Sequence, residues 1–123
     1  MKNDLIHKKC TPCRSGQKPL RGVEIQNYMS KLSSGWNVVD EQYLEKKYTF
    51  LDFKSAFHFA EIVAHIAEQE DHHPTITISW GLVRLKIYTH KIQGLSENDF
   101  IIASKCDQKF LSNSKKHKDS DVR

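Results

Sequence analysis

At 123 residues, 38% hydrophobic and 10% aromatic, the chain has the length and apolar content of one folded domain, which excludes a disordered chain or a disulfide-stapled miniprotein. The net charge of +4 is unevenly placed: residues 20–111 carry 10 basic and 12 acidic side chains and the two ends carry 9 and 3, so the body offers no footprint for nucleic acid. No apolar run approaches the ~20 residues of a membrane span, and Met1-Lys2-Asn3-Asp4 lacks a signal-peptide core, so the expectation is a cytoplasmic protein with no membrane partner.

Residues 1–19 are polar, Lys-rich and short of aliphatics, and read as a flexible N-terminal arm. The arm contains Cys10-Thr11-Pro12-Cys13, a redox or half-zinc spacing. No second Cys pair follows and no strand precedes it, which favours two reduced thiols. With Cys106 the cysteine count is odd and does not resemble a secreted disulfide framework. A first helix is expected over about 20–33, where Ile25, Tyr28, Met29 and Leu32 recur at helical spacing. Residues 36–39 and 43–51, rich in aromatic and β-branched types, read as two adjacent strands.

Asp52 is a suitable N-cap for the longest helix, about 53–70. Phe53, Ala56, Phe57, Ala60, Val63, Ala64 and Ala67 form its expected core stripe. A second stripe, Phe59, Ile62 and Ile66, lies about 120° away at ~100° per residue. Either another part of the same chain covers it or a second copy does. The preferred expectation is a homodimer or homotetramer through those three residues, because aligned large apolar groups are rarely left wet.

Beyond Pro74, Ile76, Ile78 and Trp80 alternate with polar residues up to Gly81, and Val83, Leu85 and Ile87 alternate after it, which predicts a β-hairpin. His90 falls on the side of Tyr88. Ser96-x-x-Asp99 approximates a capping box before a last helix using Ile102, Ala103, Cys106 and Phe110. Residues 112–123 read as a basic disordered tail. The fold class is α+β in the order α-β-β-α-β-β-α, with the helices packed on one face of an antiparallel sheet.

The chemistry concentrates in Glu68-Gln69-Glu70-Asp71-His72-His73-Pro74, with His90 one strand-length on. Pro74 disfavours helix at His73, so the histidines sit at a helix-to-strand corner. Histidine, with an unperturbed pKa of ~6.5, is the side chain for moving protons near pH 7. Asp71 and Asp99 are candidates to orient the rings, with Glu68 one turn before them, while Glu70 reads as a solvated neighbour. No nucleophile accompanies the cluster, which favours acid–base over covalent chemistry. Zinc is the competing reading, weakened by the lack of a His-x-His or His-x3-His spacing in the cluster.

Glu68-x-x-Asp71-His72-His73-Pro74, Trp80 six residues on, Tyr88-Thr89-His90 and Gly94-Leu95-Ser96-Glu97-x-Asp99, supported by Gly35-Trp36 and Phe50-x-x-Phe53-x-x-Ala56-Phe57, resemble the pterin-4a-carbinolamine dehydratases over about residues 20–111. The chain departs from many relatives in carrying Thr75-Ile76-Thr77 in place of an aromatic residue, and Gly81 in place of an asparagine. The resemblance implies a four-stranded sheet with helices on one side, assembled as dimers or tetramers. It implies a metal-free, cofactor-free lyase that dehydrates 4a-hydroxytetrahydrobiopterin to quinonoid dihydrobiopterin, with a functional link to aromatic amino-acid hydroxylases. By position it makes His72 and His90 proton donors and acceptors and His73 a catalytic and pterin-holding residue. Asp71, Asp99 and Glu68 would support them and Trp80 would bind substrate. A protein-interaction role that stabilises a partner's dimer is the alternative the same family implies.

Overall fold

The computed structural model describes residues 4–14 and 16–120, with side chains described as far as residue 112. The elements run α1 (Gly22–Met29), β1 (Asn37–Val39), β2 (Tyr43–Thr49), α2 (Phe53–Glu70), β3 (Thr75–Ser79), β4 (Leu82–Ile87) and α3 (Glu97–Ser120), in the order expected from the sequence. The four strands are antiparallel in the spatial order β1-β2-β4-β3, and the helices cover one face. Among the described residues no helix is long and apolar enough to cross a membrane.

Alternation decides which side chains meet the helices. Val83, Leu85 and Ile87 of β4 are fully buried, and the register sets Leu44 opposite Ile87 and Tyr48 opposite Val83, so neighbouring strands agree on the inner face. The hairpin reverses at Trp80-Gly81. Gly81 has φ +69, and an added Cβ would lie 3.0 Å from the Phe50 carbonyl oxygen, so glycine suits both the turn and the close approach.

Lys46 breaks the pattern by facing inward opposite Leu85. It is accommodated because Asp107 of α3 accepts its ammonium at 2.8 Å, along with the Tyr48 hydroxyl at 2.6 Å and the Trp36 indole N–H at 2.8 Å. Burial, reinforced by the Asp107 charge, pushes the Tyr48 phenol far above its ordinary range. This network pins β2 to α3; removing Asp107 alone would strand two buried polar groups.

Asp52 caps α2 as expected, its Oδ1 accepting the Ser55 N–H at 2.8 Å. The rotation of α2 differs from the expectation. Phe59 is 1% exposed, Ile66 is 5% exposed and Ile62 packs partly buried against the same core, so the proposed interface stripe belongs to this chain's interior. The Phe59 ring meets Tyr48, Phe50 and Phe110 at centroid distances of 4.7, 5.5 and 5.6 Å. Phe110 comes from α3, so a second helix of the same chain supplies the cover that the sheet alone cannot. The buried arc of α2 is thereby turned about 50° from the expected stripe, at ~100° per residue. Phe53 and Phe57 are left half exposed and stacked on each other at 6.4 Å.

Both ends also differ from expectation. Leu5, in a short 3-10 turn (Leu5–His7), is fully buried in the core, and Lys8 pairs with Glu97 at 2.7 Å, so the described part of the N-terminal arm is docked. A single buried leucine, with the Lys8–Glu97 pair beside it, is what the polar composition of the arm concealed. At the other end α3 continues to Ser120 through most of the stretch expected as a disordered tail; residues 121–123 lie outside the described residues.

Candidate active site

Two residues make the corner on which the site is built. Asp71 caps α2 in the left-handed conformation (φ 54, ψ 43), which aspartate tolerates better than most residues. Its N–H and that of His72 both close on the Ala67 carbonyl. Pro74 then keeps the chain extended into β3.

Beneath the corner lies Asp99, fully buried in the first turn of α3. Its Oδ1 meets His72 Nε2 at 2.7 Å, while Oδ2 accepts the Thr89 hydroxyl at 2.8 Å and the Ser96 backbone N–H at 2.9 Å. The last bond is half of the capping box read from the sequence. The Ser96 hydroxyl bonds instead to Thr89 at 2.8 Å. An ionised carboxylate can only accept, so Nε2 of His72 carries a hydrogen and Nδ1 is the nitrogen left for a ligand.

His73 turns to the other side and meets Glu68 at 2.7 Å, an exposed pair that orients the ring but adds little stability. His90 opens a 3-10 turn (His90–Ile92) beyond β4 and lies against Tyr88 with centroids 4.4 Å apart, on the side the alternation predicts. All three histidines line one cleft of about 380 Å³, a size usual for small-molecule sites.

The predicted site residues are therefore mostly together. Asp99 stands behind His72 and Glu68 beside His73. Asp71 lines the cleft but shows no hydrogen bond to either ring; of the three carboxylates expected to support the histidines, Asp99 and Glu68 are the ones that meet them. Trp80 sits at the far end of β3, 71% exposed and outside the cleft.

Sequence reasoning missed the wall opposite the corner. Residues 10–13 line the same cleft. Glu70, read as solvated, has a side chain only 7% exposed, accepts the Cys10 backbone N–H at 2.8 Å and pairs with Lys105 at 3.0 Å. Burial would raise the Glu70 carboxyl, but the Cys10 N–H and the Lys105 ammonium outweigh it and hold it below the ordinary glutamate value. Asn98 grips Thr11 through both side-chain atoms. No local spacing links positions 87 residues apart, though Glu70 and Asn98 each flank a residue the motifs had singled out.

Burial, and then the charges of Glu70 and Asp99, push the Cys10 thiol up to about 12, so it supplies no thiolate nucleophile near neutral pH. Among the described residues no three His, Cys, Asp or Glu side chains converge as a metal-binding set. The cleft is lined by imidazoles with carboxylates beside them, side-chain types able to give and take protons near neutral pH.

The family model for pterin 4 alpha carbinolamine dehydratase matches residues 18–109. A protein of Alkaliphilus metalliredigens, provisionally named a pterin-4-alpha-carbinolamine dehydratase, is 43% identical over 106 residues, covering 86% of this chain and 96% of its own. Similarly named proteins of Rickettsia canadensis and Rickettsia bellii are 49% and 50% identical, covering 85% and 84% of this chain and 96% and 91% of theirs. The crystal structure of a Brucella melitensis protein described as a transcriptional coactivator/pterin dehydratase superposes with a TM-score of 0.69 at 30% identity, covering 74% of this chain and 97% of that one. The matched segment contains both the His72-His73 corner and the His90–Asp99 half of the cleft, and the chain belongs to the pterin 4 alpha carbinolamine dehydratase family, a family of dehydratases.

Proposed function

We propose that this chain dehydrates 4a-hydroxytetrahydrobiopterin to quinonoid dihydrobiopterin and water by histidine acid–base catalysis, recycling the pterin of an aromatic amino-acid hydroxylase. The observation that carries the reading is the 2.7 Å bond from His72 to a fully buried Asp99, on the wall of a cleft that His73 and His90 share. In the reaction the N5 lone pair forms a C4a=N5 bond as the C4a–O bond breaks. The departing hydroxyl takes a proton and leaves as water, and a ring nitrogen gives up a proton to a base. His72 and His90 serve as that acid and base, and His73, held by Glu68, binds the pterin.

Decay of enzymatically generated 4a-hydroxytetrahydropterin tests this directly. His72→Ala and His90→Ala should each lower kcat by roughly 10²–10⁴, the usual worth of a general acid or base, and His73→Ala should act more on KM. Unchanged turnover in all three would end the assignment.

Self-association belongs to the same reading, now through Phe53 and Phe57 in place of the buried Phe59 and Ile66. The description of the Brucella protein as a coactivator, together with this exposed aromatic pair, supports a second reading in which the outer face of α2 binds a protein partner. Partner binding that survives loss of turnover would favour it.

A further inference from the structure

The geometry points to residues 10–13 as a strap that completes the substrate cleft, with Thr11 and Pro12 adding contact surface for the pterin and with Glu70 and Asn98 as the positioning residues that dock it. This rests on the dehydratase reading of the cleft. The strap lies outside the segment, 18–109, that the family model covers.

Three observations carry the inference. First, residues 10–13 line the cleft that holds His72, His73 and His90. Second, the docking is specific. Asn98 accepts the Thr11 N–H at 3.0 Å and donates to the Thr11 carbonyl at 2.6 Å, the two-bond pattern of a strand partner, and donates to the Cys13 sulfur at 3.5 Å. Glu70 takes the Cys10 N–H at 2.8 Å, and Leu5 plugs the core upstream. Third, the docking groups flank those that hold the reacting imidazole: Asn98 precedes Asp99, and Glu70 lies two residues before His72. Strap and histidine wall are thus set on the same helix ends, and a ligand between them touches both. A strap held this way narrows access of water to the histidine side of the ligand and adds binding without adding a proton-transfer group.

Two readouts test it. Thr11→Pro removes the N–H given to Asn98 without changing any cleft histidine. For this variant KM for 4a-hydroxytetrahydropterin should rise about 5- to 10-fold, the worth of one ordinary hydrogen bond, with kcat and its pH profile unchanged. Asn98→Ala should do the same, and melting temperatures recorded for both separate undocking from unfolding. In the wild type, alkylation of Cys13 followed by mass spectrometry should slow severalfold when 7,8-dihydrobiopterin is added, with the fully buried Cys106 as the unreactive reference. An active wild type whose Cys13 labelling ignores pterin, and whose Thr11→Pro variant keeps its KM, overturns the strap and leaves the dehydratase reading standing. A wild type that neither turns over nor shows pterin protection overturns both.

Discussion

Asp99 illustrates how much one side chain decides in this site. It is fully buried, and its two oxygens serve a histidine, a threonine hydroxyl and a helix N-terminus at once. An asparagine there keeps the shape but has one acceptor oxygen and an amide that donates, so the His72 tautomer is no longer fixed. Asp99→Asn should lower kcat by about 10²-fold, the low end for a general acid–base partner, with a smaller change in KM. Stopped-flow turnover measured well below the variant's melting temperature is the check, and a wild-type kcat would reduce Asp99 to a helix cap. His72, His73 and His90 were legible because proline and strand alternation fix where a short chain segment goes. Which carboxylate meets which ring was not legible, because adjacency in sequence says nothing of direction: His72 bonds Asp99, 27 residues on, and not its neighbour Asp71.

Among the elements, the docked arm is the one whose behaviour pH should reveal. Glu70 of α2 faces the Cys10 N–H and Lys9 on the arm and Lys105 on α3, and these hold its carboxyl below the ordinary value against the opposing effect of burial. A carboxylate whose pKa is depressed on folding stabilises the structure above its unfolded value of ~4.3, and that contribution is lost as pH falls through the folded value. The melting temperature of the wild type should therefore exceed that of Glu70→Gln most near neutral pH, and the difference should shrink below about pH 4 as Glu70 gains its proton. A difference independent of pH would mean that Glu70 docks nothing by its charge. The arm was illegible in the sequence because its anchors, Leu5 and the Thr11–Asn98 pairing, are long-range contacts without periodicity. For α2 the ends were read to the residue, and only its rotation was wrong, since helical spacing gives the width of an apolar face but not how many partners cover it.

For the whole molecule, the order of elements followed from local patterns that agree with one another, which is why the four-stranded layout was readable without any long-range information. What those patterns could not assign was which apolar residues stay outside. Phe53 and Phe57, 48% and 47% exposed and stacked on the outer side of α2, are the groups a second copy would cover. Phe53→Glu with Phe57→Glu should shift the protein toward monomer in sedimentation equilibrium and leave its melting temperature nearly unchanged at low concentration. An unchanged mass would place any assembly elsewhere. A further consequence follows from Asp99 closing the first turn of α3 through the Ser96 N–H while it holds His72. Any fluctuation that frays the start of that helix also releases the imidazole, so heat that opens the helix end disturbs the site with it. If His72 works as proposed, unseating the last helix carries loss of turnover with it, and a protein that still turns over reports that its last helix is seated.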